Sequence, residues 1–268
     1  MSHVASWKLA VQKSMRRAAF PAKTIVPRKS RIHSASQSSL LPSQAGSPTA
    51  VVMVAWSCDS IERPEVEFWF DFASPYSYLS VMRIEDEARR HGVRIVWKPF
   101  LLGPIFRQLG FAQAPMIAEK RKAAYMHQDL ARQCGRHALA PWAAPSVLPR
   151  RSVLAARVAL LGANRSWIAA FCRAVMTLNF VRDEEIDTPE QLAPLLAALG
   201  LPATDLLALA ETPSIRALLR RQTEEASARG LFGAPTFLVE DEMFWGNDRL
   251  EEAFQVARQR ARLSLGVA

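Results

Sequence analysis

The chain is short of cysteine. Cys58, Cys134 and Cys172 are its only three in 268 residues, and no two are closely spaced. That excludes a disulfide-stapled scaffold and a cysteine-based zinc site, and it points to a reducing, cytoplasmic setting. Long apolar runs are missing too, since no stretch of about eighteen uncharged apolar residues occurs. The richest segment, LAPLLAALGLPATDLLALA at 192–210, holds two prolines and an aspartate. It reads as short packed helices, so no membrane partner is expected. Acid is absent from residues 1–58, which carry eight Lys or Arg, whereas the other 210 residues carry 26 basic and 25 acidic side chains. The net charge of +9 therefore belongs almost wholly to one end, and the body offers no global electrostatic case for nucleic acid.

Residues 1–63 differ in kind from the rest, being rich in Ser, Ala, Lys and Arg with scattered prolines. Three readings are open: a disordered basic arm, an organellar targeting segment, or a stretch that is not translated, with Met53 as the natural start. From Val66 the pattern is firm. VEFWFDF reads as a buried strand, aromatic and β-branched. YSYLSVMRIEDEARRHG reads as one amphipathic helix closed by Gly92, and VRIVWKPF as a second, parallel strand. From about 101 to 229 the periodicity is helical, with segments near 116–137, 150–162, 164–181, 188–199, 203–210 and 213–229. TFLVE and EMFWG then form a hairpin around Glu240 and Asp241, and a last helix runs from about 248 to 264. The order β-α-β, helical insert, β-β-α is an α/β, thioredoxin-like layout. The expected division is residues 64–102 with 230–268 for that fold and 103–229 for an all-helical insertion.

The chemistry-bearing positions cluster at the ends of these elements. FASPYSYL places Ser74 and Ser77 three apart where the first strand hands over to a helix. Ser74 followed by Pro75 is a natural N-cap, and the same helix end can hold an anion. With no adjacent His or Lys and no Gly-x-Ser-x-Gly context, Ser74 has no partner to make it a nucleophile. In FGAPTF, a cis Ala234–Pro235 bond would turn the Ala234 backbone toward Ser74, whereas an ordinary Pro would mark a strand edge. In WGNDRLEE, Asp248 and Glu251 read as a capping box. Alternatively, amides near Asn247 and Asp248 would take a carboxylate and the Asp248 side chain an ammonium, a set that suits a γ-glutamyl group. Arg107, on a loop after the second strand, and Arg150, in PSVLPRRS, are surface cations or carboxylate clamps. His127 and His137 lack further ligands at metal spacing, and no metal is expected.

Taken in register, DFASPYSYL, LLGPIF, PSVLPR, FGAPTF and FWGNDRL resemble the 2-hydroxychromene-2-carboxylate isomerases, relatives of kappa-class glutathione transferases and DsbA-type oxidoreductases. The resemblance spans about residues 65–264. It implies a thioredoxin fold with a helical insert, and glutathione as cofactor. Ser74 would contact the glutathione sulfur, and Ala234, before Pro235, its cysteinyl backbone. Trp245, Gly246, Asn247 and Asp248 would hold its γ-glutamyl end. Arg107 and Arg150 would face an aromatic carboxylate substrate. Phe111 and Arg151 stand where relatives often carry Asn, both on the substrate side. A transferase or peroxidase acting on another electrophile, and a non-catalytic thioredoxin-like module, are the alternatives. A disulfide oxidoreductase is excluded because no cysteine lies near the tip. Relatives tend to dimerise, and no apolar stripe here decides the oligomeric state.

Overall fold

The computed structural model describes residues 63–264 and Gly266; the readings of residues 1–62 lie outside that range. In chain order the elements are β1 (Glu65–Phe70), α1 (Pro75–Val81), α2 (Ile84–His91), β2 (Arg94–Pro99), α3 (Leu102–Gln108), α4 (Pro115–Ala118), α5 (Lys120–Arg136), α6 (Val153–Gly162), α7 (Ile168–Phe180), α8 (Pro189–Ala198), α9 (Ala203–Ala210), α10 (Pro213–Ala228), β3 (Thr236–Val239), β4 (Glu242–Trp245) and α11 (Leu250–Ser264). The four strands form one sheet in the order β2-β1-β3-β4. β1 runs parallel to β2 and antiparallel to β3, with Phe68 opposite both Trp97 and Phe237. This is the expected thioredoxin-like arrangement, with every element between β2 and β3 helical.

β1 is central and covered on both faces, which explains its aromatic run. Side chains alternate along a strand. Val66, Phe68 and Phe70 enter the large core with α1, α7 and α11 residues such as Leu79, Phe171 and Phe254. Trp69 points the other way, into a smaller cluster with Phe100, Ile105, Leu231 and Leu238. The Phe68 ring stacks on Phe70 at 4.9 Å and on Phe237 at 5.4 Å. Each ring so buried stabilises the fold by about 1.5–3 kcal/mol, so the strand that carries the site is also the best anchored.

Three boundaries differ from expectation. The single helix expected over YSYLSVMRIEDEARRHG is two, broken at Met82 and Arg83. The apolar positions show why. Tyr78, Leu79 and Met82 share one face, but that stripe would next need position 83, which is arginine, and the apolar phase restarts at Ile84 and Ala88. Arg107 sits within α3 rather than on a loop. The last helix begins at Leu250, after a 3-10 turn at Asn247–Arg249. Gly92 ends α2 in the left-handed region, at φ 62°, as its position suggested. No helix among the described residues is long and apolar enough to cross a membrane. Among the same residues no three His, Cys, Asp or Glu side chains are grouped to hold a metal ion.

Candidate active site

The site begins where β1 ends. Asp71 is buried, and its carboxylate accepts the Ala73 N–H (2.9 Å), the Ser152 hydroxyl (2.8 Å) and the Leu102 N–H (2.8 Å). One side chain thus ties the strand end to the first residue of α3 and to the loop entering α6. Burial pushes its pKa above the ordinary carboxylate value, against the pull of these three donors. The Asp71 carbonyl accepts the Ser74 N–H at 3.0 Å. Ser74 caps α1, accepting the Ser77 N–H at 3.3 Å, with Pro75 in the first turn. Its hydroxyl also donates to the Ala234 carbonyl at 2.8 Å, across 160 residues of chain. The cap reading of Ser74 is therefore met, and the same hydroxyl bridges to the loop before β3. The Ser77 hydroxyl is buried and has no hydrogen-bond partner among the described residues.

Opposite lies the loop before β3. The Ala234–Pro235 bond is cis, and so is Leu148–Pro149, which the sequence reading did not anticipate. The Ala234 N–H makes no backbone hydrogen bond among the described residues. The Pro235 carbonyl accepts the Gly246 N–H at 3.0 Å, joining this loop to the end of β4. Trp245 packs its indole on Phe232 at 4.7 Å. A Cβ on Gly233 would lie 2.2 Å from the indole nitrogen, so only glycine fits there. Gly246 has φ +115°, and a Cβ there would meet the Asp248 carboxylate at 2.4 Å.

The 3-10 turn that follows is held from α1 and its junction with α2. The Asn247 side-chain oxygen accepts the Ser80 hydroxyl (3.1 Å) and Arg83 Nη2 (3.2 Å). Asp248 is exposed, with its carboxylate 3.4 Å from Arg249. Glu251, read as half of a capping box, directs its carboxylate to Arg83 at 3.4 Å. Ser74, Ala234, Pro235, Gly246 and Asn247 are therefore brought together by named hydrogen bonds, with Trp245 and Asp248 between or beside them.

The substrate-facing arginines fare differently. Arg150 is buried and fully engaged. It donates to the Asp183 carboxylate (2.5 Å), the Asp183 carbonyl (3.0 Å), the Ser146 hydroxyl (3.3 Å) and the Asn179 side-chain oxygen (3.3 Å). Its carboxylate partner belongs to the chain itself. Asn179 in turn donates to the Phe72 carbonyl at 2.9 Å, so Arg150 braces the tip from behind. Arg151 pairs with Asp187 at 3.1 Å, and Asp187 also caps the α6 end through the Leu154 N–H. The basic start of this helix is thus neutralised by aspartates from the 180s loop. Arg107 is exposed on α3 with no carboxylate partner among the described residues. Tyr76, two residues after Ser74, donates to Asp129 of α5 at 3.0 Å, linking the tip to the insert. His127 accepts from the Trp142 indole at 3.3 Å.

Sequence reasoning missed Asp71, Ser80, Arg83 and Asn179 as site supports. Arg83 alone left a trace, as a charge on an otherwise apolar stripe.

Comparison with known proteins agrees with this construction. The family model described as a DSBA-like thioredoxin domain matches residues 65–255. A 2-hydroxychromene-2-carboxylate isomerase of Pseudomonas putida is 32% identical over 208 residues, covering 74% of this chain and 98% of the relative. Human glutathione S-transferase kappa 1 is 26% identical over 200 residues, covering 69% and 87%. A solved structure of a 2-hydroxychromene-2-carboxylate isomerase superposes with a TM-score of 0.68 at 24% identity, covering 76% of this chain and 99% of that one. The chain belongs to the DsbA-like thioredoxin-domain family, among the relatives that include 2-hydroxychromene-2-carboxylate isomerases and kappa-class glutathione transferases.

Proposed function

We propose that the protein is a glutathione-dependent isomerase that interconverts 2-hydroxychromene-2-carboxylate and trans-o-hydroxybenzylidenepyruvate, in aromatic hydrocarbon catabolism. The observation that carries this reading is the 2.8 Å hydrogen bond from the Ser74 hydroxyl to the Ala234 carbonyl. It joins a sulfur-free tip to the loop best suited to hold an extended peptide. The donor set fits a tripeptide thiol. Ala234 offers an N–H with no backbone acceptor among the described residues and a carbonyl whose present donor is a single hydroxyl.

Glutathione, when bound, supplies a thiolate nucleophile. The protein's own part is to favour that form. Ser74 has one proton, now given to Ala234. A peptide N–H laid along Ala234 would replace that donor, freeing the Ser74 proton for the sulfur of a bound thiol. An ordinary thiol of pKa about 8.5 is only about 3% ionised at neutral pH. A hydrogen bond to a charged group, about 1.5–3 kcal/mol, lowers that pKa by about one to two units. α1 has only seven residues, so its dipole adds about 0.3 kcal/mol, the low end of the usual range. Trp245, Gly246, Asn247 and Asp248 would hold the γ-glutamyl end, and Arg107 would orient the substrate carboxylate.

The test is conversion of 2-hydroxychromene-2-carboxylate, followed by absorbance, with and without glutathione. Conversion that requires glutathione is the expected result. Glutathione binding without conversion, but with transfer to a haloarene, would instead assign the kappa-like transferase reaction. Neither binding nor conversion would return the chain to the non-catalytic reading.

A further inference from the structure

Arg83 is a buried cation with an unusual set of partners. It stands at the break between α1 and α2, 8% exposed. Its Nη2 donates to two oxygens of one residue, the Asn247 carbonyl at 3.4 Å and side-chain oxygen at 3.2 Å. Its Nη1 reaches Glu251 at 3.4 Å and His137 Nδ1 at 3.3 Å, and lies 3.9 Å from Glu87. Its Nε is buried without a partner among the described residues. As a mere brace this is poor design, because a buried ion pair seldom stabilises more than an apolar replacement. What the guanidinium does that an apolar side chain could not is saturate Asn247. Together with Ser80, it fills both acceptors of that residue, whose own N–H makes no backbone hydrogen bond among the described residues.

We infer that Arg83 is the positioning residue of the head-group turn: it fixes the Asn247 peptide so that the 247 and 248 amides are presented to a ligand carboxylate, the Arg249 N–H being already held by the Gly246 carbonyl at 3.0 Å. The inference rests on the glutathione reading above and adds the residue that sets affinity for the γ-glutamyl end. The turn itself is a single 3-10 turn that begins at a glycine with φ 115°, so its own backbone supplies little of what holds the Asn247 peptide in place. Arg83 also brings in the insert, through His137 at the end of α5. Head-group binding is therefore coupled to where α5 ends.

The experiment compares two ligands by calorimetry: glutathione, and cysteinylglycine, which lacks the γ-glutamyl group. Wild type, Arg83→Met, Arg83→Lys and Ser80→Ala are measured alongside their urea unfolding midpoints. Arg83→Met is expected to weaken glutathione about tenfold, the scale of one charge-assisted hydrogen bond, with cysteinylglycine unchanged. Arg83→Lys should recover part of the loss, since one donor remains. Equal weakening of both ligands, or of neither, overturns the inference. Ser80→Ala removes one donor to the same oxygen and should give the same selective loss, about threefold at the neutral end of hydrogen-bond strengths. It decides the matter if Arg83→Met does not fold. Wild type that binds no glutathione overturns the underlying reading, and the role of Arg83 with it; an effect confined to the Arg83 and Ser80 variants isolates the positioning role.

Discussion

From the start of α1 to the loops flanking β3 and β4, hydrogen bonds join Ser74 to Ala234, Pro235 to Gly246 and Ser80 to Asn247. Around α3 the arginine expected to meet the substrate is exposed and without a carboxylate partner, and its counterpart Arg150 is locked to Asp183. One half of the candidate site is held by hydrogen bonds within the chain, and on the other half Arg107 stands exposed. A half built from backbone groups and buried polar pairs recognises one constant molecule. A half of loose charge on a helix surface tolerates variation. That division fits a constant thiol on one side and a changeable electrophile on the other.

The largest effect should come from breaking the built half at its centre. Ser74→Ala is expected to lower turnover about ten- to a hundredfold through lost thiolate. A pH series checks the cause, because the deficit should shrink as pH approaches the ordinary thiol pKa of about 8.5. A deficit that is flat with pH would reject it. Next is Asp71→Asn. The new amide sets a donor against at least one of the three donors that Asp71 accepts. Urea unfolding should report about 1–3 kcal/mol lost, and an unchanged midpoint would refute the tie. On the loose half, Arg107→Gln should raise KM only about two- to fivefold, with kcat unchanged and the difference fading in salt. A large fall in kcat would mean that this half is as fixed as the other.

The smallest expected effect is in pH and stability, at the joint between the halves. Burial and the neighbouring Arg83 and Arg136 hold His137 below its usual 6.5, against a weaker opposing pull from Glu251. A depressed value means that the unfolded chain binds the proton more readily. The stability from neutral His137 is full above 6.5 and lost as pH falls through the depressed value. A stability curve for His137→Gln that loses this slope confirms the assignment, and one that keeps it places the slope elsewhere.

The layout was legible because it is written in local periodicity. Phe68, Trp69 and Phe70 alternate across a covered strand, and Ser74–Pro75 and Gly92 mark helix ends in place. The clustering of the tip with Ala234 was legible from the strand layout and the resemblance, not from local spacing, since their contact spans 160 residues. For Arg150 the sequence shows a cation but not its partner. Asp183 lies 33 residues away on another loop. The break at Arg83 was present in the sequence as a shift in apolar phase. It was missed because Ile84 and Ala88 fit a helix of their own.

The serines at the tip also bear on chemical wear. Of the cysteines in the described range, Cys134 and Cys172 are both buried, and burial pushes their thiols up, away from the reactive thiolate. Oxidants that climb the ladder from sulfenic to sulfonic acid attack exposed thiolates first. With serine at both 74 and 77, the tip has no sulfur of its own to spoil. In the proposed reaction, damage would fall on a soluble thiol that the next molecule replaces.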